Sequence, residues 1–167
     1  MLSIIIPCLN ESGDIVAALE ALAPLRARGC EVIVIDGGSS DHTADLARSH
    51  ADQVLVVQPG RARQMNAGAD AASGEILFFL HADSRLPENA DALIINGLSR
   101  SRHSWGRFNV RITGSHPLLR VIAWLMNWRS RLSGIATGDQ GLFVTRSLFE
   151  AAGRFTEIAL MEDIALS

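Results

Sequence analysis

Carboxylates stand at similar places in this chain, each shortly after a run of apolar residues. Ser3-Ile4-Ile5-Ile6-Pro7 gives way to Asn10-Glu11, and Val32-Ile33-Val34-Ile35 to Asp36-Gly37-Gly38-Ser39-Ser40-Asp41. Ile76-Leu77-Phe78-Phe79-Leu80 gives way to His81-Ala82-Asp83, and an acidic pair, Glu162-Asp163, follows far downstream. Ligands of an open parallel sheet bind beyond the carboxyl ends of its strands. The spacing therefore predicts a nucleotide- and metal-binding site with a catalytic base. Asp83 follows the most apolar run and offers hard oxygen to a divalent cation such as Mg2+ or Mn2+. Such a cation would bridge a diphosphate and neutralise a departing one. Asp36 with its two glycines reads in two ways: a carboxylate for a ribose or base, approached closely by the ligand, or an ordinary capped strand-to-helix turn. Arg61 and Arg63 open a helix after Pro59-Gly60, where guanidinium groups suit phosphate oxygens or simply face water. His81, placed on the same strand face as Asp83, reads equally as a ligand or as a packed histidine.

Other chemistries lack their residues. No G-x-G-x-x-G follows a strand, no P-loop is present, and neither a G-x-S-x-G nor a Cys/His pair supports a hydrolase. His42, His50, His103 and His116 have no metal-ligand or triad spacing.

The elements that must position these residues alternate between apolar runs and helical patterns, as in βαβ units around a parallel sheet. Strands are expected at Glu31 to Ile35, Gln53 to Val57 and Glu75 to Leu80, after the opening one. The runs are continuously apolar, as they are when helices cover both faces of a sheet. Ser12 is the expected N-cap of a helix carrying Ile15, Leu19, Leu22 and Leu25 and stopped by Gly29. Asp41 caps a short helix through Ala47, a small-residue helix spans Arg61 to Ala72, and Pro87 opens a helix to about Ser99. Further on, Trp105 to Ile112 reads as a strand, Pro117 to Leu132 as a helix, Gly141 to Thr145 as a strand and Ser147 to Ala152 as a helix closed by Gly153. The helix from Pro117 carries Trp124, Leu125 and Trp128 with Arg120 and Arg131 beside them. It reads as a core helix or as a surface for a lipid-linked acceptor or a membrane interface.

The 167 residues suffice for one domain, 1–167, with a real core. A hydrophobic content of 48% with 20% charge fits a soluble globular chain. The net charge of −3 gives no sign of nucleic-acid binding. Cys8 and Cys30 are expected as reduced core thiols, which suits the cytosol. No stretch approaches a membrane span or a signal peptide. The last residues, Ile164-Ala165-Leu166-Ser167, read as the first turn of a helix with no continuation, so a C-terminal truncation is expected.

In order and spacing, Ile4-Ile5-Ile6-Pro7…Asn10-Glu11, Val34-Ile35-Asp36-Gly37-Gly38-Ser39-Ser40-Asp41, Asn66-Ala67-Gly68, His81-Ala82-Asp83 and Glu162-Asp163 resemble family 2 glycosyltransferases over essentially the whole chain. The segments 60–66, 79–87 and Gly138-Asp139-Gln140-Gly141 are similar to a bacterial subgroup labelled radical-SAM/selenodomain-associated transferases. The resemblance implies a GT-A fold: α/β, Rossmann-like, a mostly parallel central sheet with helices on both faces. It implies a hexosyltransferase-type enzyme with a nucleotide-diphosphate sugar donor, a divalent metal (Mn2+ or Mg2+) and inversion at the anomeric carbon. Carried over by position, Pro7, Asn10, Glu11, Asp36, Gly38, Arg61 and Asp83 would bind the donor, with Asp83 as the metal ligand. Gly138, Asp139, Gln140 and Glu162 would lie on the sugar and acceptor side, and Asp163 would be the base. A cytoplasmic enzyme, peripheral at the inner membrane face if its acceptor is lipid-linked, is the corresponding location. The chain departs from the family pattern at His81, which replaces the first Asp of D-x-D, at Gly37, which replaces the second Asp of D-D-G-S-x-D, and at Met65, where an arginine is common. No Q-x-x-R-W motif is present. Two other readings stay open: a non-catalytic nucleotide-sugar-binding module or inactive fragment, and a sugar nucleotidyltransferase, although the latter's G-x-x-x-R-x-x-P-K-type loop is missing.

Overall fold

The computed structural model describes residues 1–100, 103–110, 112, 118–133 and 140–156. Among them, strands β1 (Leu2–Cys8), β2 (Glu31–Asp36), β3 (Gln53–Val56), β4 (Ile76–Phe79), β5 (Trp105–Arg107) and β6 (Leu142–Thr145) form one sheet in the order β3-β2-β1-β4-β6-β5. The first four run parallel; β6 and β5 join antiparallel. Helices α1 (Ile15–Ala27), α2 (Thr43–Ala47), α3 (Arg61–Ala71), α4 (Ala90–Arg100), α5 (Leu118–Ser133) and α6 (Arg146–Ala151) complete it. The expected α/β fold with a mostly parallel sheet is therefore the observed one.

The apolar runs divide between two faces because strand side chains alternate. Ile4, Ile6, Val32, Val34 and Phe78 pack with Ile15, Leu19, Leu22 and Leu25 of α1, Ala47 of α2 and Ile94 of α4. Ile5, Ile33, Ile35, Leu77 and Phe79 pack on the other face with Ala62, Met65 and Ala69 of α3 and Phe149 of α6. Gly68 brings α3 close to the sheet: an added Cβ would stand 2.3 Å from Ile5 Cγ2. Cys8 and Cys30 are buried free thiols. No helix among the described residues is long and apolar enough to cross a membrane.

Several element ends differ from the sequence expectation, each for a local reason. Helix α1 starts after Asp14, not Ser12: the N–H groups of Asp14 and Ile15 close a turn onto the Glu11 carbonyl at 3.0 and 2.9 Å, and the Ser12 N–H donates to Asp41 Oδ2 at 3.0 Å. At α2, His42 occupies the cap position in a left-handed conformation, while Asp41 Oδ1 accepts from the Thr43 N–H at 3.2 Å. Helix α4 starts at Ala90, whose N–H reaches the Pro87 carbonyl at 3.0 Å. Strand β5 ends at Arg107 instead of Ile112. Beyond it Phe108 N–H donates to the Gln140 carbonyl at 2.9 Å, and Val110 is held by Asn127, so the backbone leaves the ladder. Strand β4 ends at Phe79, which puts His81 and Asp83 in the turn beyond it and not on a strand face. The largest change concerns α5. Among its described side chains Ala123 is buried, whereas Trp124, Leu125 and Trp128 are exposed, so the face that these three form does not pack into the core.

Candidate active site

Two loops beyond the sheet are laced together. Asn10, left-handed at φ 56°, donates its N–H to Ser39 Oγ at 2.8 Å and accepts from the Ser40 N–H at 3.0 Å. The Glu11 N–H donates to Thr43 Oγ1 at 2.9 Å, and the Thr43 hydroxyl donates to Asp41. That hydroxyl, followed by the Ser12 and Thr43 N–H groups, holds the Asp41 carboxyl well below the usual range. These hydroxyl links were not legible beforehand. Their only signal was the density of short polar residues between 39 and 43, which favour side-chain-to-backbone bonds.

Asp36 closes the β2 end. Only 1% exposed, its carboxylate accepts from the N–H groups of Gly38 at 3.1 Å and Ser39 at 2.8 Å and from the Ser39 hydroxyl. Gly38 makes that turn possible with φ +84°, a region costly to residues with a Cβ. The Asp36 carboxylate thus organises its own turn. Beside it, burial first and then the Asp36 charge push the Cys8 thiol up to about 12.

A cavity of about 320 Å³ lies against these loops, lined by Pro7, Cys8, Leu9, Glu11, Gly60, Arg61, Gln64, His81, Ala82 and Asp83. The N-terminus of α3 opens onto it at Gly60 and Arg61, so the positive end of the helix dipole and the Arg61 charge favour an anion there. The opposite wall is acidic. Glu11 is raised above its ordinary carboxyl value first by burial and then by the charges of Asp83, Asp14 and Asp41.

A second cavity of about 530 Å³ adjoins it. Leu80, Leu86, Pro87, Phe108, Val110 and Ile112 give it apolar walls, with Arg85, Asn109 and Gln140 among its polar groups. Asp83 lines both cavities. Of the site residues singled out in the sequence, Pro7, Glu11, Arg61, His81 and Asp83 line the first cavity, and Asp83 and Gln140 the second. Asn10 and the pair Asp36 and Gly38 stand in the two adjoining loops. Gly138, Asp139, Glu162 and Asp163 lie outside the described residues.

The model of glycosyl transferase family 2 matches residues 3–149, most of the chain. The chain belongs to that family. A "PGL/p-HBAD biosynthesis glycosyltransferase" of Mycobacterium bovis is 39% identical over 100 residues, covering 56% of this chain and 39% of that protein. An uncharacterized glycosyltransferase of Mycobacterium bovis is 30% identical over 132 residues, 77% of this chain and 59% of its own length. The chain thus spans only part of the curated relatives it matches. Among solved structures, a mannosyltransferase from Pyrobaculum calidifontis in complex with GDP-Man and Mn2+ superposes with a TM-score of 0.76 at 21% identity, over 98% of this chain and 49% of that one. Glucosyl-3-phosphoglycerate synthase from Mycobacterium tuberculosis, in complex with Mn2+, UDP and glucosyl-3-phosphoglycerate, gives 0.64 at 20% identity, over 89% and 58%. These likenesses establish the GT-A fold.

Two departures from the glycosyltransferase pattern acquire physical reasons. An added Cβ at Gly37 would stand 3.2 Å from three side-chain atoms of Gln64. Buried Gln64 donates through Nε2 to the carbonyls of Cys8 at 2.8 Å and Ile35 at 2.9 Å, joining β1 to β2. Position 65, on the face of α3 that packs against the sheet, holds a methionine 1% exposed. Gln64 was overlooked in the sequence; a long polar residue within a helix of small residues was its only mark. Asn66 of the motif turns to the chain after α6, its Nδ2 donating to the Phe155 carbonyl at 2.9 Å and its Oδ1 accepting from the Phe155 N–H at 3.2 Å.

Proposed function

We propose that this chain carries the donor-binding and catalytic core of an inverting glycosyltransferase, moving a hexose from a nucleotide-diphosphate sugar to an acceptor hydroxyl in the cytoplasm. The observation that carries this reading, given the family, is the position of Asp83 at the meeting of two cavities. The first suits a nucleotide diphosphate, with the α3 N-terminus and Arg61 toward the phosphates and Pro7, Asn10, Glu11, Asp36 and Gly38 shaping the nucleotide side. The second, with Gln140, suits the acceptor, and Gly138, Asp139 and Glu162 belong to that side by position in the family motif.

A divalent metal is part of this reading. Among the described residues no three His, Cys, Asp or Glu side chains converge, so no ready-made protein cage is present. Mg2+ and Mn2+ fit such a sparse site: hard cations of this kind take one or two carboxylates and complete their shell with substrate phosphates. Asp83 would hold the ion, with the raised Glu11 carboxyl on the same cavity wall. When bound, the ion supplies charge neutralisation to the diphosphate.

In the transfer, Asp163 accepts the proton of the acceptor hydroxyl. The acceptor oxygen forms a bond to the anomeric carbon from the face opposite the diphosphate. The bond to the diphosphate oxygen breaks and its electron pair leaves with the nucleotide. Arg61 and the α3 amides stabilise the charge growing there. A single displacement requires one base, not the paired carboxylates of glycosidases.

Calorimetric titration of nucleoside diphosphates with Mn2+ tests the donor site. The unsubstituted chain should bind and Asp83→Ala should abolish the metal-dependent binding; unchanged affinity would sink the assignment. Asp163→Asn, in a protein of the relatives' full length, should keep donor binding while turnover falls by roughly 100- to 10,000-fold. Binding of donor without any transfer in that unsubstituted protein would instead mark a non-catalytic binding module.

A further inference from the structure

Charge is unevenly distributed along the chain. Residues 92–138 contain seven arginines and no Asp or Glu, a charge of +7; the other eight arginines stand against 18 acids, a charge of −10, and the whole is −3. Helix α5 lies inside the basic stretch, and residues 118–133 add Arg120, Arg129 and Arg131 to it.

The exposed side of α5 is apolar. Leu118, Val121, Ile122, Trp124, Leu125 and Trp128 all face water, Trp124 at 61% and Trp128 at 52% exposure. Their two indole rings stack at 5.9 Å with only 7° between planes. At the angular step of an α-helix these positions cover an arc of roughly 160°; helical position 129 falls inside it, between 118 and 122, and positions 120 and 131 fall beside its Trp124 edge. On the other side Asn127 fastens the helix, its Oδ1 accepting from the Val110 N–H at 2.8 Å and its Nδ2 donating to the Val110 carbonyl at 2.9 Å.

A soluble anion would engage the arginines and leave the apolar arc in water. A neutral apolar partner would cover the arc and gain nothing from the charge. An anionic bilayer surface uses both, taking indoles at headgroup level, aliphatic side chains at the acyl boundary and guanidinium groups at the lipid phosphates. We propose that α5 is an interfacial helix that docks this chain on an anionic lipid surface. The inference goes beyond sugar transfer and does not depend on it. It has a consequence for orientation: Val110, gripped by Asn127, is part of the wall of the second cavity.

Co-sedimentation with phosphatidylcholine vesicles, with and without phosphatidylglycerol, tests the docking. Binding should require the anionic lipid and should be lost in 1 M salt, where screening acts within about 3 Å. Two of the three tryptophans lie on α5, so emission should shift to the blue on binding and be quenched by brominated lipid. Trp124→Ser with Trp128→Ser should weaken partitioning at least about tenfold, since indoles anchor at the interface, while Leu46→Ser, exposed outside the basic stretch, should leave it unchanged. Arg129→Gln with Arg131→Gln should weaken binding to anionic vesicles in low salt. Circular dichroism should confirm that each variant is folded. Equal binding to neutral vesicles, no binding to either, or a lipid-independent dimer abolished by the tryptophan variant would overturn the proposal, the last by making α5 an interface between copies of this chain.

Discussion

Gln64 stands against Gly37 at the C-terminal edge of the sheet: its amide lies 3.2 Å from where a Cβ at position 37 would be, and from there it donates to the carbonyls of Cys8, the last residue of β1, and Ile35, the last but one of β2. The exchange of the family's usual aspartate for glycine at 37 thus has a steric counterpart on α3. Gly37→Ala should cost about 1–3 kcal/mol through overpacking. Gln64→Ala should cost about 1–3 kcal/mol by removing one buried hydrogen bond from each of two carbonyls. The double variant should cost less than the sum, because the alanine at 37 then meets no amide. Urea unfolding of the four chains measures this, and strict additivity would refute the coupling.

Asn66 grips both backbone groups of Phe155, the last stretch of described chain before Glu162 and Asp163. Phe155 is also buried among Phe79, at 4.8 Å between ring centroids, and Phe149, at 5.4 Å. In Asn66→Ala the Phe155 amide should exchange with deuterium at least about tenfold faster, the factor for a loss of 1.4 kcal/mol. An unchanged rate would show that the ring packing alone fixes this segment.

The Glu11 carboxyl should titrate above its ordinary value of 4.5, chiefly because it is partly buried and secondly because Asp83 is near. A folded-state value above the unfolded one means that its contribution to stability is full below pH 4.5 and is lost as the pH rises through the folded value. Asp83→Asn removes the second cause. The Glu11 pKa, followed by carbon NMR, should fall in that variant, and the decline in stability with rising pH should shrink. A Glu11 titration indifferent to Asp83→Asn would separate the two groups electrostatically.

Cys8, with its thiol pushed up to about 12, and Cys30, raised mainly by burial, should be silent toward a thiol-directed disulfide reagent at pH 8. Guanidinium should release two reactive equivalents, one for each cysteine of the chain. Rapid labelling of the native protein would contradict their burial.

What the sequence determined by itself was whatever depends on local pattern. The continuous apolar runs became the parallel strands β1, β2 and β4, and the stop at Gly29 became a left-handed glycine at φ 90° after α1. The positions of Glu11 and Asp83 beyond strand ends followed from the rule that loops at that edge hold ligands. Tertiary structure decided what depends on partners distant in sequence. Ser12 was tied through its N–H to Asp41 of the neighbouring loop, and the strand after Trp105 ended early because Gln140 and Asn127 took its backbone groups. The Asp36 carboxylate, open to a ribose reading in the sequence, is used by its own turn, a matter of rotamer and backbone conformation that spacing does not encode. Helix α5 shows the limit most plainly. Its apolar positions repeat like those of a core helix, but periodicity fixes only which residues share a face; whether protein or water meets that face depends on the packing of every other element.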